Sequence, residues 1–112
     1  MNIFCDSSTR EACYVFEEQE PVVVPYPERV TVNTGQYLAA ILALEEALKQ
    51  GLEDIVIWTD SLLVANQVNG IWECRKKHLL PFRDKVKGLA QEVQAAIRWI
   101  PRDENIAGKV IE

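Results

Sequence analysis

The chain has 112 residues, 48% of them apolar and 26% charged, with a formal net charge of −5. That length supports one hydrophobic core, so residues 1–112 are expected to form a single domain. No apolar run approaches the roughly 20 residues that span a bilayer, and Asp6 interrupts anything resembling a secretory leader, so neither a membrane partner nor export is expected.

In chain order, residues 2–5 predict a first strand that ends on Asp6. Glu11 to Glu17 predicts a second, with Cys13 and Val15 on one face and Tyr14 and Phe16 on the other. The short connection from Asp6 to Arg10 pairs these two as a hairpin. Pro21 to Pro25 is a third short strand, which its flanking prolines place at a sheet edge or limit in length. Pro25 to Asn33 is loop. Thr34 to Gln50 predicts a helix whose inner face carries Tyr37, Ala40, Ile41, Leu44 and Leu48, and Gly51 stops it. Asp54 to Thr59 is a fully apolar strand, expected at the centre of a sheet covered on both sides.

Asp60 or Ser61 caps the next helix, which closes at Asn69-Gly70. A longer helix is predicted from His78 to about Ala96, with Pro81 in its first turn and Leu79, Phe82, Val86, Leu89 and Val93 as its buried stripe. Ile97 to Ile100 is a fifth strand, cut by Pro101. Asp103 to Glu112 begins a last helix that the chain end truncates. Trp58 and Trp99 are expected in the core, Trp72 beneath the basic segment, and His78 in a capping or surface role. Cys5, Cys13 and Cys74 are odd in number and lack metal-ligand spacing. Cys5 and Cys13 are read as buried free thiols rather than a cross-hairpin disulfide, which fits a reducing, cytoplasmic compartment.

Charge is unevenly spread. Residues 75–87 hold Arg75, Lys76, Lys77, Arg83, Lys85 and Lys87 against Asp84 alone. The net charge of −5 argues mildly against a nucleic-acid partner. The basic segment reads first as a solvated helix face, with a phosphate-facing patch as the alternative.

Two strands that each deliver an aspartate, Asp6 and Asp60, at their C-terminal ends predict a metal or phosphate site in the crevice beyond the sheet. Around them stand Asn33-x-x-Gln36-Tyr37, Thr59-Asp60-Ser61, Gln67-x-x-Gly70-x-Trp72 and Arg102-x-x-Asn105-x-x-Gly108. With the strand and helix order, these motifs resemble type 1 ribonuclease H over nearly the whole chain. The resemblance implies an α/β, ribonuclease H-like fold. Its five-stranded mixed sheet has three antiparallel strands, then parallel ones, with helices on both faces. It also implies metal-dependent cleavage of RNA in RNA/DNA hybrids, through four carboxylates around two Mg²⁺ or Mn²⁺ ions.

Carried over residue by residue, Asp6 matches the first family aspartate and Asp60 the third carboxylate. Gln36 stands where the family has glutamate, and Gly108 where it has the final aspartate. At about 4 Å and an effective dielectric of 20, each lost charge pair removes roughly 4 kcal/mol of attraction for a cation. The site is therefore expected to be degenerate and hydrolysis lost or weakened, with no cofactor bound in the extreme case. Glu104, one turn before Gly108, is a candidate replacement ligand, although support of a helix N-terminus is the leading reading; Glu112 is a weaker one. Asn33, Ser61, Arg75, Lys76 and Lys77 are candidate nucleic-acid contacts. Ser7 replaces a usual glycine, and the loop after the first strand is shorter than in most members. Two alternatives stand beside this reading. One is an active nuclease with an atypical metal site built from Asp6, Asp60, Gln36 and Glu104. The other is a protein–protein module, such as a homodimer, without a nucleic-acid role.

Overall fold

Asn2–Ser7 (β1) and Glu11–Phe16 (β2) pair antiparallel, with Asp6 opposite Cys13 and Cys5 opposite Tyr14. The structure is a computed structural model that describes residues 1–111. Three residues join the two strands. Ser8 holds this turn, its Oγ accepting from the amides of Arg10 and Glu11 at 3.1 Å each. Val22–Pro25 (β3) pairs antiparallel with β2 at the sheet edge. Val56–Thr59 (β4) and Ala96–Trp99 (β5) extend the sheet in parallel on the other side of β1, giving the order β3-β2-β1-β4-β5.

The central strand is thus β1, and β4 lies one place from the β5 edge, which corrects the expectation for the fully apolar run. Ile57 and Thr59 are buried, whereas Val56 and Trp58 are half-buried. A short apolar run cannot separate a strand covered on both faces from one whose second face carries a snorkelling aromatic. Trp58 does the latter, donating its indole N–H to Asn2 Oδ1 at 2.9 Å.

Val32–Lys49 (α1) starts two residues before the predicted position because Thr31 is its N-cap, its hydroxyl accepting from the Thr34 amide. Tyr37, Ala40, Ile41 and Leu44 are buried as expected, but Leu48 is exposed. Ala39, Ala43 and Ala47 widen the buried face, so that α1 meets both the sheet and the later helix Leu80–Glu92. Leu62–Val68 (α2) is capped by Ser61, whose Oγ accepts from the Val64 amide at 3.1 Å. This leaves the Asp60 carboxylate for other partners. Leu80–Glu92 (α3) follows a 3₁₀ turn at Lys77–Leu79 and ends short of the predicted Ala96. Gln94 adopts the left-handed conformation (φ 53°) that usually calls for glycine, so no glycine marked the stop. Ile106–Ile111 (α4) follows a 3₁₀ turn at Arg102–Glu104; Glu112 lies outside the described residues.

The main core joins Ile3, Cys5, Tyr14, Phe16, Ile57 and Ile97 of the sheet to α1, α2 and α3. On the opposite face α4 covers β1 and β2 through a small cluster of Cys13, Val15 and Ala107, with Phe4 and Ile111 half-buried. Cys5 and Cys13 therefore face opposite sides of the sheet and are free thiols. Trp99, expected in the core, is 43% exposed. Trp72 is exposed as well. Among the described residues no helix is long and apolar enough to cross a membrane.

Candidate functional site

Beyond the C-terminal ends of β1 and β4 lies a cleft of about 500 Å³ lined by Asp6, Asn33, Gln36, Asp60, Ser61, Arg102 and Gly108, with Ser7 to Thr9, Val32 and Ile111 at its rim. Its depth begins with Gly35. A β-carbon there would collide with Ser7 Oγ, so the bare backbone lets the first turn of α1 press against the end of β1. That approach delivers Gln36 to Asp6. The Gln36 amide Nε2 donates to Asp6 Oδ1 at 2.8 Å and lies 3.4 Å from the Ser7 carbonyl oxygen. Both side chains are buried. Gln36 Oε1 is also buried and has no hydrogen-bond partner among the described residues.

The other Asp6 oxygen lies against α4. A β-carbon on Gly108 would sit 2.8 Å from Asp6 Oδ2 and 4.0 Å from Asp60 Oδ2. The glycine thus fills no space that the two carboxylates now occupy. Asp60 Oδ2 accepts from Asn105 Nδ2 at 3.1 Å, and the same amide donates to the Cys5 carbonyl at 3.0 Å. Asn105 Oδ1 accepts from the Ala107 amide at 3.2 Å, which ties down the start of α4. Burial raises the Asp60 pKa above the usual carboxylate range, and the nearby Asp6 charge adds to this; the Asn105 hydrogen bond and the Arg102 charge oppose it. Burial also drives the Cys5 thiol far upward, so it remains protonated.

Two Mg²⁺ ions would need a dense set of hard oxygens, mainly carboxylates. The residues present do not fit that demand. Asp6 Oδ1 already accepts a hydrogen bond from the Gln36 amide, a neutral donor in place of a second carboxylate. Gly108 supplies no side-chain oxygen. Among the described residues no three His, Cys, Asp or Glu side chains converge. Glu104 is exposed in the 3₁₀ turn and does not line the cleft, so the replacement ligand considered from the sequence is not brought to Asp6 and Asp60.

Asn33 and Ser61 do line the cleft. Arg75 and Lys76 lie elsewhere, on a groove of about 540 Å³ with Trp72, Leu63, Ile71 and Leu79. Arg75 is paired with Glu73 at 3.2 Å, and Lys77 is exposed in the turn before α3. Sequence reasoning missed Asn105 and Arg102 as site residues. Their signal was present in the Arg102-x-x-Asn105 motif, since a fully buried asparagine before a short helix must satisfy its amide internally.

Residues 12–109 match the family described as reverse transcriptase-like. The bifunctional protein Rv2228c of Mycobacterium tuberculosis is 31% identical over 78 residues, which cover 69% of this chain and 21% of that protein. The chain thus spans about a fifth of the length of the curated relatives it matches. The crystal structure of ribonuclease H1 from the halophilic archaeon Halobacterium salinarum has a TM-score of 0.84 at 26% identity, covering 97% of this chain and 91% of that one. LC11 ribonuclease H1, solved in complex with an RNA/DNA hybrid, has a TM-score of 0.78 at 19% identity and covers 99% of each chain, a likeness of fold alone. With this sheet order, this cleft and the motifs that line it, the chain belongs to the reverse transcriptase-like family and is a member of the type 1 ribonuclease H group that its sequence resembles.

Proposed function

We propose that this chain is a ribonuclease H-fold module that binds an RNA/DNA hybrid and in which two-metal hydrolysis is disabled. The observation that carries this reading is the Gln36 amide donating to Asp6 Oδ1 at 2.8 Å. A glutamate at that position would set a second anionic oxygen beside Asp6 and call for a cation between them. Glutamine satisfies Asp6 with a neutral donor instead, and Gly108 takes away a further negative charge. Binding is supported by the polar lining of the cleft, where Asn33 and Ser61 stand at the starts of α1 and α2 and Arg102 offers a cation. The hybrid bound to the similar LC11 ribonuclease H1 supports the same class of ligand. The free thiols Cys5 and Cys13 support a reducing, cytoplasmic compartment.

One observation favours the alternative of a weakened nuclease with an atypical metal site: the buried Gln36 Oε1 is a neutral oxygen without a partner among the described residues. A single experiment separates the two. Hybrid binding is followed by fluorescence anisotropy across a salt series, and cleavage of the same hybrid is assayed in Mg²⁺ and in Mn²⁺. The proposal expects binding that weakens as salt rises and cleavage no faster than the Asp6→Asn variant. Cleavage that Asp6→Asn abolishes, and that Gln36→Glu accelerates, would establish the weakened nuclease. Failure to bind hybrid even at low salt would remove the nucleic-acid role.

A further inference from the structure

Trp99 ends β5 and is 43% exposed, yet it is not loose. Its indole N–H donates to the main-chain carbonyl of Asp60 at 3.2 Å. Asp60 and Ser61 line the cleft, so the indole is fastened to the cleft wall itself. The backbone beneath it is held as well, because Trp99 stands opposite Thr59 in the parallel register and the Ile100 amide donates to the Thr59 carbonyl at 2.9 Å. The one polar atom of the ring is therefore satisfied while a broad apolar face stays in water. Such a ring has already lost its rotational freedom, so a flat partner that covers it meets little further ordering cost. Arg102, three residues on, lines the cleft that Asp60 also borders and offers a cation for a backbone phosphate.

Nucleobases are flat partners of this kind, and every base presents a π-face. Inside a continuous duplex both faces of each base are already stacked on neighbours. An unpaired base is free to turn a face onto the ring, which a base held in its pair on the duplex axis is not. We infer that Trp99 is a stacking shelf for an unpaired base, and that the preferred ligand of the cleft is a hybrid with a single-stranded extension rather than a continuous duplex. This rests on the hybrid-binding reading above.

The test compares a blunt RNA/DNA hybrid with one carrying a short single-stranded extension, both in chelator so that no cleavage intervenes, for the wild type, Trp99→Phe and Trp99→Ala. The wild type is expected to bind the extended hybrid about tenfold more tightly than the blunt one. Trp99→Ala should erase that preference, whereas Trp99→Phe should keep most of it. Both variants lack the indole N–H, so their difference reports stacking and not the bond to Asp60. In NMR spectra, the indole resonance that is missing from Trp99→Phe should shift in the wild type on adding the extended hybrid. Equal affinity for the two hybrids, or a preference that survives Trp99→Ala, overturns the shelf while leaving hybrid binding intact. Failure of the wild type to bind either hybrid overturns the underlying reading along with the shelf.

Discussion

On one face of the sheet, α1 and α3 bury Ile3, Cys5, Ile57 and Ile97 beneath Tyr37, Leu44 and Val86. On the other, a helix of only six residues covers Cys13 and Val15 with Ala107 and a half-buried Ile111. Asp6 belongs to the thin side, since it stands opposite Cys13 and against Gly108. The scaffold is held by apolar burial, while the site leans on an element far too short to be helical by itself. What fastens α4 is largely polar: Asn105 bonds the Cys5 carbonyl, the Asp60 carboxylate and the Ala107 amide. A fold built this way can lose the fine geometry of its cleft without losing its core.

The largest expected effect is on the thick side. Leu44→Ala should destabilise the protein by about 3 kcal/mol, because Leu44 is fully buried and the cavity it leaves cannot collapse. Val15→Ala on the thin side should cost about 1.5 kcal/mol. Chemical denaturation of both variants measures the difference, and equal losses would erase the distinction between the faces.

Asn105→Ala comes next, at about 2 kcal/mol, since it removes the hydrogen bonds to the Cys5 carbonyl and the Asp60 carboxylate and frees the start of α4. Hydrogen exchange should show the α4 amides losing protection ahead of those in β1 and α1. Uniform loss of protection would mean that α4 is part of the main cooperative unit and not a separate flap.

The smallest effect sharpens the electrostatics. Burial and the Asp6 charge raise the folded-state pKa of Asp60 above its unfolded value. Folding therefore favours the protonated form. Its contribution to stability is complete below the ordinary carboxylate pKa and is lost as pH rises through the raised value. Asp60→Asn keeps a side-chain oxygen for Asn105 without the charge. It should have a higher Tm than the wild type at about pH 7, and the gap should close by about pH 3. A gap that stays constant with pH would show that charge at Asp60 is not what strains the cleft.

Several of these features were readable in the chain. The stripe from Tyr37 to Leu44, the stop at Gly51 and the edge position of β3 follow from periodicity and turn chemistry, and each stands in the structure. The pairing of Gln36 and Gly108 with Asp6 and Asp60 came from the resemblance to ribonuclease H, and the cleft brings those four residues together. Other readings failed for physical reasons. Trp99 looked like core because it lies in a strand, but β5 is an edge strand and its last two residues are exposed. Leu48 matched the helical stripe, but the buried face at that end of α1 runs through Ala43, Leu44 and Ala47 and leaves Leu48 in solvent. Glu104 sits one turn from Gly108 only if the helix is continuous, and a 3₁₀ turn ending before Asn105 breaks that register.

By itself, the sequence determined the elements, their order and the chemical types available to the site, because helix periods, caps and strand alternation are local properties. Only the tertiary structure decided what those residues do to one another. Gln36 reaches Asp6 across 30 residues, and Asn105 reaches Asp60 across 45 and the Cys5 carbonyl across 100. Those contacts depend on sheet register, on the close approach allowed at Gly35 and on the docking of α4, and no local pattern encodes them. The two aspartates could be seen in the chain; that one is bound by an amide and the other by a buried asparagine was settled only when the sheet and its two unequal faces came together.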